Sequence, residues 1–178
     1  MEMNILPVLK TGKLIVLYAP HAAREESSTL AAELALRGAI TVLDGGNRFT
    51  PYRVAQLLRR KTVDIATASK RLFIRRAFTC YEMNSLLADT PTLRQPYMVL
   101  DLLNTFHDDH VPTHEVCRLL KLCLGQIHRL QISAPVVVTL APPLVEERGF
   151  LIRQVCEKAD EVFTLDMPAS QVTQPTLF

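Results

Sequence analysis

Six side chains able to ligate a metal crowd one stretch of the chain: His107, Asp108, Asp109, His110, His114 and Cys117. Imidazoles, carboxylates and thiolates are the ligands of zinc, which needs about four of them converging on one point. His107 and His110 fall in a loop, while His114 and Cys117 sit one turn apart at the start of a helix. An acidic, solvated loop with Thr113 capping that helix accounts for the same residues, so no metal is expected. Asp101 closes a short apolar run, where it could hold a metal from one side or cap a turn; the cap is the reading taken. Ser27 and Ser28 open another helix. Their hydroxyls and the helix N–H groups suffice for a sulfate or a weak anion, and equally for an ordinary N-cap, which is again the reading taken.

Strands and helices alternate around these residues. Leu14 to Tyr18, Ile40 to Leu43, Leu72 to Ile74, Tyr97 to Leu100, Pro135 to Leu140 and Val162 to Leu165 read as strands. Their apolar runs are short and continuous, as in a sheet buried on both faces. Helices are expected over Ser27 to Arg37 with Gly38 as its stop, from Pro51 to Arg60, Tyr81 to Ala88, Thr113 to Leu130 and Phe150 to Lys158. In the fourth of these, Val116, Leu119, Leu120, Cys123, Leu124 and Ile127 follow helical spacing. The alternation predicts an α/β three-layer sandwich on a mostly parallel central sheet. In such a sheet, ligands gather at the carboxyl ends of the strands.

Those strand ends carry a resemblance. Ala19-Pro20-His21-Ala22-Ala23-Arg24-Glu25-Glu26-Ser27-Ser28-Thr29 resembles the strand, loop and helix of a P-loop ATPase of the RecA-like recombinase family. Leu43-Asp44-Gly45-Gly46-Asn47-Arg48-Phe49-Thr50-Pro51-Tyr52-Arg53 looks like that family's next segment, and Arg76-Ala77-Phe78-Thr79-Cys80-Tyr81 like its third. Met98-Val99-Leu100-Asp101 is similar to a Walker B strand, and Pro135-Val136-Val137-Val138-Thr139 to the strand after it. The resemblance runs from about Lys13 to Leu165. It implies a RecA- or KaiC-type domain over residues 1–166, followed by a flexible tail over 167–178.

A working phosphate loop reads G-x-x-x-x-G-K-[ST], the glycines letting backbone N–H groups converge while lysine and hydroxyl serve phosphate and Mg²⁺. On that frame His21 and Glu26 take the glycine places, Ser27 the lysine place, and only Ser28 fits. Gly46 stands where the resemblance implies a catalytic glutamate. Phosphoryl transfer depends on positioning and charge neutralisation, and both the cation and the base are missing. The expectation is a degenerate nucleotide site at Ser27, Ser28 and Asp101, with no catalytic residue and no cofactor; ATP with Mg²⁺ is the alternative.

Basic residues gather at Arg59, Arg60 and Lys61, and again at Lys70, Arg71, Arg75 and Arg76. A phosphate backbone would be attracted to them if they shared a face, but with few aromatics between them they read as a solvated face. Gln174-Pro175-Thr176-Leu177-Phe178 resembles the short peptide by which bacterial polymerases and repair proteins dock on the sliding clamp. There Leu177 and Phe178 would fill an apolar pocket and Gln174 fix the register. Packing of the same pair onto the chain's own core is the alternative.

With 178 residues, 48% hydrophobic and 21% charged, the composition is globular. The net charge of +2 gives no strong pull towards nucleic acid or anionic membrane. Four cysteines without a CxxC pair read as reduced core thiols. No apolar run reaches the ~18–20 residues of a membrane span, so a cytoplasmic protein is expected. Together these readings point to a non-catalytic RecA-like accessory protein of bacterial DNA repair, recombination or replication. Its expected partners are proteins, such as the clamp or a RecA-like homologue; a nucleotide-binding regulator is the alternative.

Overall fold

The apolar run Leu14–Tyr18 forms β1, and Ile40–Asp44, Leu72–Arg76, Tyr97–Leu100, Val136–Leu140 and Glu161–Thr164 form β2 to β6. This is the arrangement of the computed structural model, which describes residues 4–165. All six strands pair in parallel, in the order β3-β2-β4-β5-β1-β6. The inner strands β2, β4 and β5 are buried at every position, because helices cover the sheet on both sides. The two outermost strands, β3 and β6, are only partly buried.

Helices α1 (Arg24–Arg37), α2 (Pro51–Arg59) and α3 (Ile65–Lys70) lie on one face; α4 (Cys80–Asp89), α5 (Thr113–Gln131) and α6 (Phe150–Cys156) lie on the other. The strands serve both faces by alternation. Leu14, Val16, Val99 and Val138 join the layer with α4 to α6, while Ile15, Leu17, Met98 and Val137 join the layer with α1 to α3. Burying any one of these aliphatic side chains contributes about 1.5–3 kcal/mol. Since consecutive residues belong to different layers, a one-residue slip would exchange the two cores.

The expected α/β sandwich is therefore present, with every strand parallel. Some boundaries differ. Helix α1 begins at Arg24, three residues ahead of Ser27, and β3 runs on to Arg76. The short α3 was not expected: Ala66, Thr67 and Ser69 give it no apolar period, and Asp64 starts it by accepting the Thr67 N–H at 3.1 Å. Strand β6 starts one residue earlier than expected, at Glu161. Among the described residues no helix is long and apolar enough to cross a membrane.

Candidate functional site

The carboxyl ends of β1, β2, β4 and β5 meet over a small cavity. Its walls include His21, Ala22, Arg24 and Ser27 after β1, Asp44, Gly46, Arg48 and Phe49 at and after the end of β2, Asp101 after β4, and Thr139 within β5. The space measures about 20 Å³. That accommodates roughly one water molecule, whereas pockets for drug-sized ligands run to roughly 300–1,000 Å³.

The turn leading from β1 makes the space small. His21, Ala22 and Ala23 all have left-handed backbones, with φ of 51°, 52° and 52°. Residues with a Cβ lose roughly 1–2 kcal/mol each in that conformation, so the rest of the fold must hold the turn in place. Ala22 and Ala23 are buried and the Ala22 N–H donates to the Ala19 carbonyl at 3.1 Å, which pins the reversal. The chain then enters α1 at once. Its first turn carries Glu25 and Glu26, whose charges complement the positive end of the helix that would otherwise favour an anion. Glu25 is further held by Arg53, at 3.0 Å.

Neither serine caps the helix, contrary to expectation. Because α1 starts early, both serines lie inside its first turns, and the N-cap position falls to Ala23, which has no capping side chain. Ser28 Oγ instead donates back to the Arg24 carbonyl at 3.0 Å. Ser27 is 1% exposed and its Oγ has no hydrogen-bond partner among the described residues. It faces the cavity.

Asp101 also departs from its expected role. It adopts the left-handed region, with φ of 51°, and its side chain caps nothing. Its N–H donates to Thr139 Oγ1 at 2.8 Å, and its carboxyl lies against Gly46. A Cβ at Gly46 would stand 2.6 Å from Asp101 Oδ2, so glycine is required there by close approach. Gly45 is similarly confined, a Cβ there lying 2.8 Å from Met83 Cε. Asp101 thus occupies the space into which a glutamate at position 46 would project. Burial raises its pKa, with Arg48 and Arg24 opposing and Asp44 reinforcing the rise.

Asp44 was not singled out by sequence reasoning, yet it organises the loop after β2. It is buried and accepts the N–H groups of Gly46 and Phe49, both at 3.0 Å, with Arg76 Nε at 3.5 Å. Arg76 in turn donates to the Phe49 carbonyl at 2.7 Å. The signal was available, since Asp followed by Gly-Gly-Asn is a turn in which the carboxylate bonds its own backbone two residues on.

Most of the histidine-rich segment is solvated, as expected: Asp108, Asp109, His110 and His114 are exposed. Arg148, 7% exposed, donates to the carbonyls of Phe106 and Val111, at 2.5 and 2.7 Å, and so ties the loop after β4 to the loop after β5. Burial and then Arg148 lower the pKa of His107. His110 bonds Asp108 at 3.0 Å. Thr113 is the first residue of α5 and not its cap, the cap position being Pro112. Among the described residues no three His, Cys, Asp or Glu side chains are grouped to hold a metal. The cysteines are free thiols, and burial pushes that of Cys123 up to about 12, leaving it unreactive.

Of the basic residues, Lys61 pairs with Glu33, Arg71 donates to the carbonyls of Ala35 and Leu36 at 3.1 Å, and Arg76 turns inward to Asp44. Gln174, Leu177 and Phe178 lie outside the described residues. No protein-family model matches the sequence, and no curated protein matches it significantly.

Proposed function

We propose that this chain is a RecA-like scaffold that has lost nucleotide chemistry and works through protein contacts, as a cytoplasmic accessory factor in bacterial DNA repair, recombination or replication. One observation carries the loss of chemistry. Where a triphosphate would sit, the strand ends leave about 20 Å³, lined by the carboxylates of Asp44 and Asp101 together with Arg24, Arg48 and His21, with no lysine among its walls. The left-handed turn at His21 to Ala23 and the contact of Asp101 with Gly46 border it. Ordered segments like those of the recombinase family along nearly the whole chain support the RecA-like half of the reading.

Fold alone does not assign activity, so the functional surfaces must lie elsewhere on the scaffold. The terminal Gln174-Pro175-Thr176-Leu177-Phe178 is one. Its apolar pair and register-setting glutamine suit a clamp pocket. The experiment is binding of the full chain to an immobilised bacterial sliding clamp, compared with a chain ending at Thr173. Saturable binding that disappears on truncation is expected. Equal binding by both chains, or by neither, removes the clamp as partner, and co-elution with a catalytic RecA-like homologue then tests the remaining one.

A further inference from the structure

Strand β3 is the outer strand of the sheet beside β2, and its far side has no neighbouring strand among the described residues. The Ile40 N–H donates to the Arg71 carbonyl at 2.9 Å, and the Ala77 N–H to the Asp44 carbonyl at 3.1 Å. Residues 71, 73, 75 and 77 therefore turn their backbone groups towards β2. Alternation along a parallel strand turns those of Leu72, Ile74 and Arg76 outward. An outer row of unpaired N–H and C=O groups is a template for another strand.

The side chains beside this edge are unlike on the two faces. Leu72 and Ile74 pack against the core under α1 to α3. On the opposite face Phe73 is 54% exposed; Phe78, just past the strand, is 63% exposed, and Tyr81 at the start of α4 is 48% exposed. Lys70 and Arg75 are exposed and make no salt bridge among the described residues. Native edges are usually blunted by charge, but here Lys70, Arg75 and Arg76 along the strand are all cationic and stand beside exposed aromatics, with Glu82 of α4 engaged by the Phe78 N–H at 2.7 Å. Pairing of two copies through this edge would set Arg75 and its neighbours against the same cations, which is unfavourable.

We infer that the outer edge of β3 receives an extended, acidic segment of a partner protein, which adds a strand to the sheet. On the face of Phe73 and Arg75 the segment would present an apolar residue to the ring and an acidic one to the guanidinium, two positions apart. Main-chain bonds to Leu72, Ile74 and Arg76 would supply affinity, and the two alternating side chains would supply selection. The inference deepens the protein-contact reading above and rests on it. The two fail separately: saturable Mg-ATP binding would end that reading while leaving this edge as described.

The test selects from a display library of random dodecapeptides on the full chain, then maps the bound site by amide hydrogen exchange. Enriched peptides are expected to carry an acidic residue two places from an apolar one and to protect the amides of Ile74 and Arg76. Arg75→Glu is expected to weaken them by about tenfold or more, and Phe73→Ser comparably, with the thermal stability of both variants unchanged. The inference is overturned if nothing is enriched, if the enriched peptides lack acidic residues, or if protection falls elsewhere. It is equally overturned if single-stranded oligothymidine protects the same amides more strongly than any selected peptide, which would make the edge a nucleic-acid surface.

Discussion

The strand ends and the outer edge of β3 are built from the same kinds of group, used in opposite ways. At the strand ends Asp44 and Asp101 turn inward: Asp44 accepts backbone N–H groups and Asp101 packs against a glycine. Along β3 the backbone groups of Leu72, Ile74 and Arg76 face outward, beside Phe73 and Arg75, which makes no salt bridge among the described residues. Asp44 is satisfied internally, whereas the buried Ser27 hydroxyl at the same strand ends has no hydrogen-bond partner among the described residues. The outward row of backbone groups on β3 has no neighbouring strand among the described residues. The contrast teaches that the readiness of a region for a ligand can be read from where its polar groups point.

The largest effect expected at the strand ends comes from placing an acid at position 46. Gly46→Glu would force a Cβ against Asp101 and bring a third carboxylate to the cavity, costing about 3–5 kcal/mol in chemical denaturation. Adding Asp101→Ala should recover part of that loss, and full additivity of the two changes would contradict the contact. Next is Arg148→Leu, which leaves the Phe106 and Val111 carbonyls without their donor and should cost about 2–3 kcal/mol by the same measurement. A loss below about 0.5 kcal/mol would mean that Arg148 does not tie the two loops together.

Smaller effects probe the closed turn. Ala22→Gly removes a left-handed penalty while loosening the unfolded chain, for a net gain of about 0.5–1 kcal/mol. A loss instead would show that the turn is not strained. Asp101→Asn tests the buried carboxyl through pH. A carboxyl whose pKa is raised on folding binds its proton more tightly in the native state, so its contribution is fully present in acid. That contribution fades as pH rises through the raised value. The variant should therefore melt higher than the parent at neutral pH, and the advantage should shrink as pH falls towards the ordinary carboxylate range. A constant difference at all pH values would remove burial as the cause. The smallest effect belongs to the other region: Arg75→Glu should leave stability within about 0.5 kcal/mol, being exposed and unpaired.

The sheet was legible because β2, β4 and β5 are buried on both faces and so read as unbroken apolar runs. Helix α5 was legible through the spacing of Val116, Leu119, Leu120 and Cys123. The turn at His21-Ala22-Ala23 was not, since left-handed backbone is ordinarily announced by glycine or asparagine and none is present there. That one hidden turn moved the start of α1 and with it the roles of Ser27 and Ser28. Asn47 and Asp101 also have positive φ, but they are residue types that tolerate it. The candidate site was legible as a place, since the carboxyl ends of parallel strands are where ligands gather. What fills it was not, because Asp101 reaches Gly46 only through the juxtaposition of β4 with β2, two strands far apart in the chain.

The central claim is that the strand ends are closed to nucleotide. Isothermal titration of the full chain with Mg-ATP tests it most directly. The account predicts no saturable heat up to millimolar ligand, and no rise in melting temperature in the same solutions. A one-to-one binding isotherm, abolished by Asp101→Ala, would contradict it.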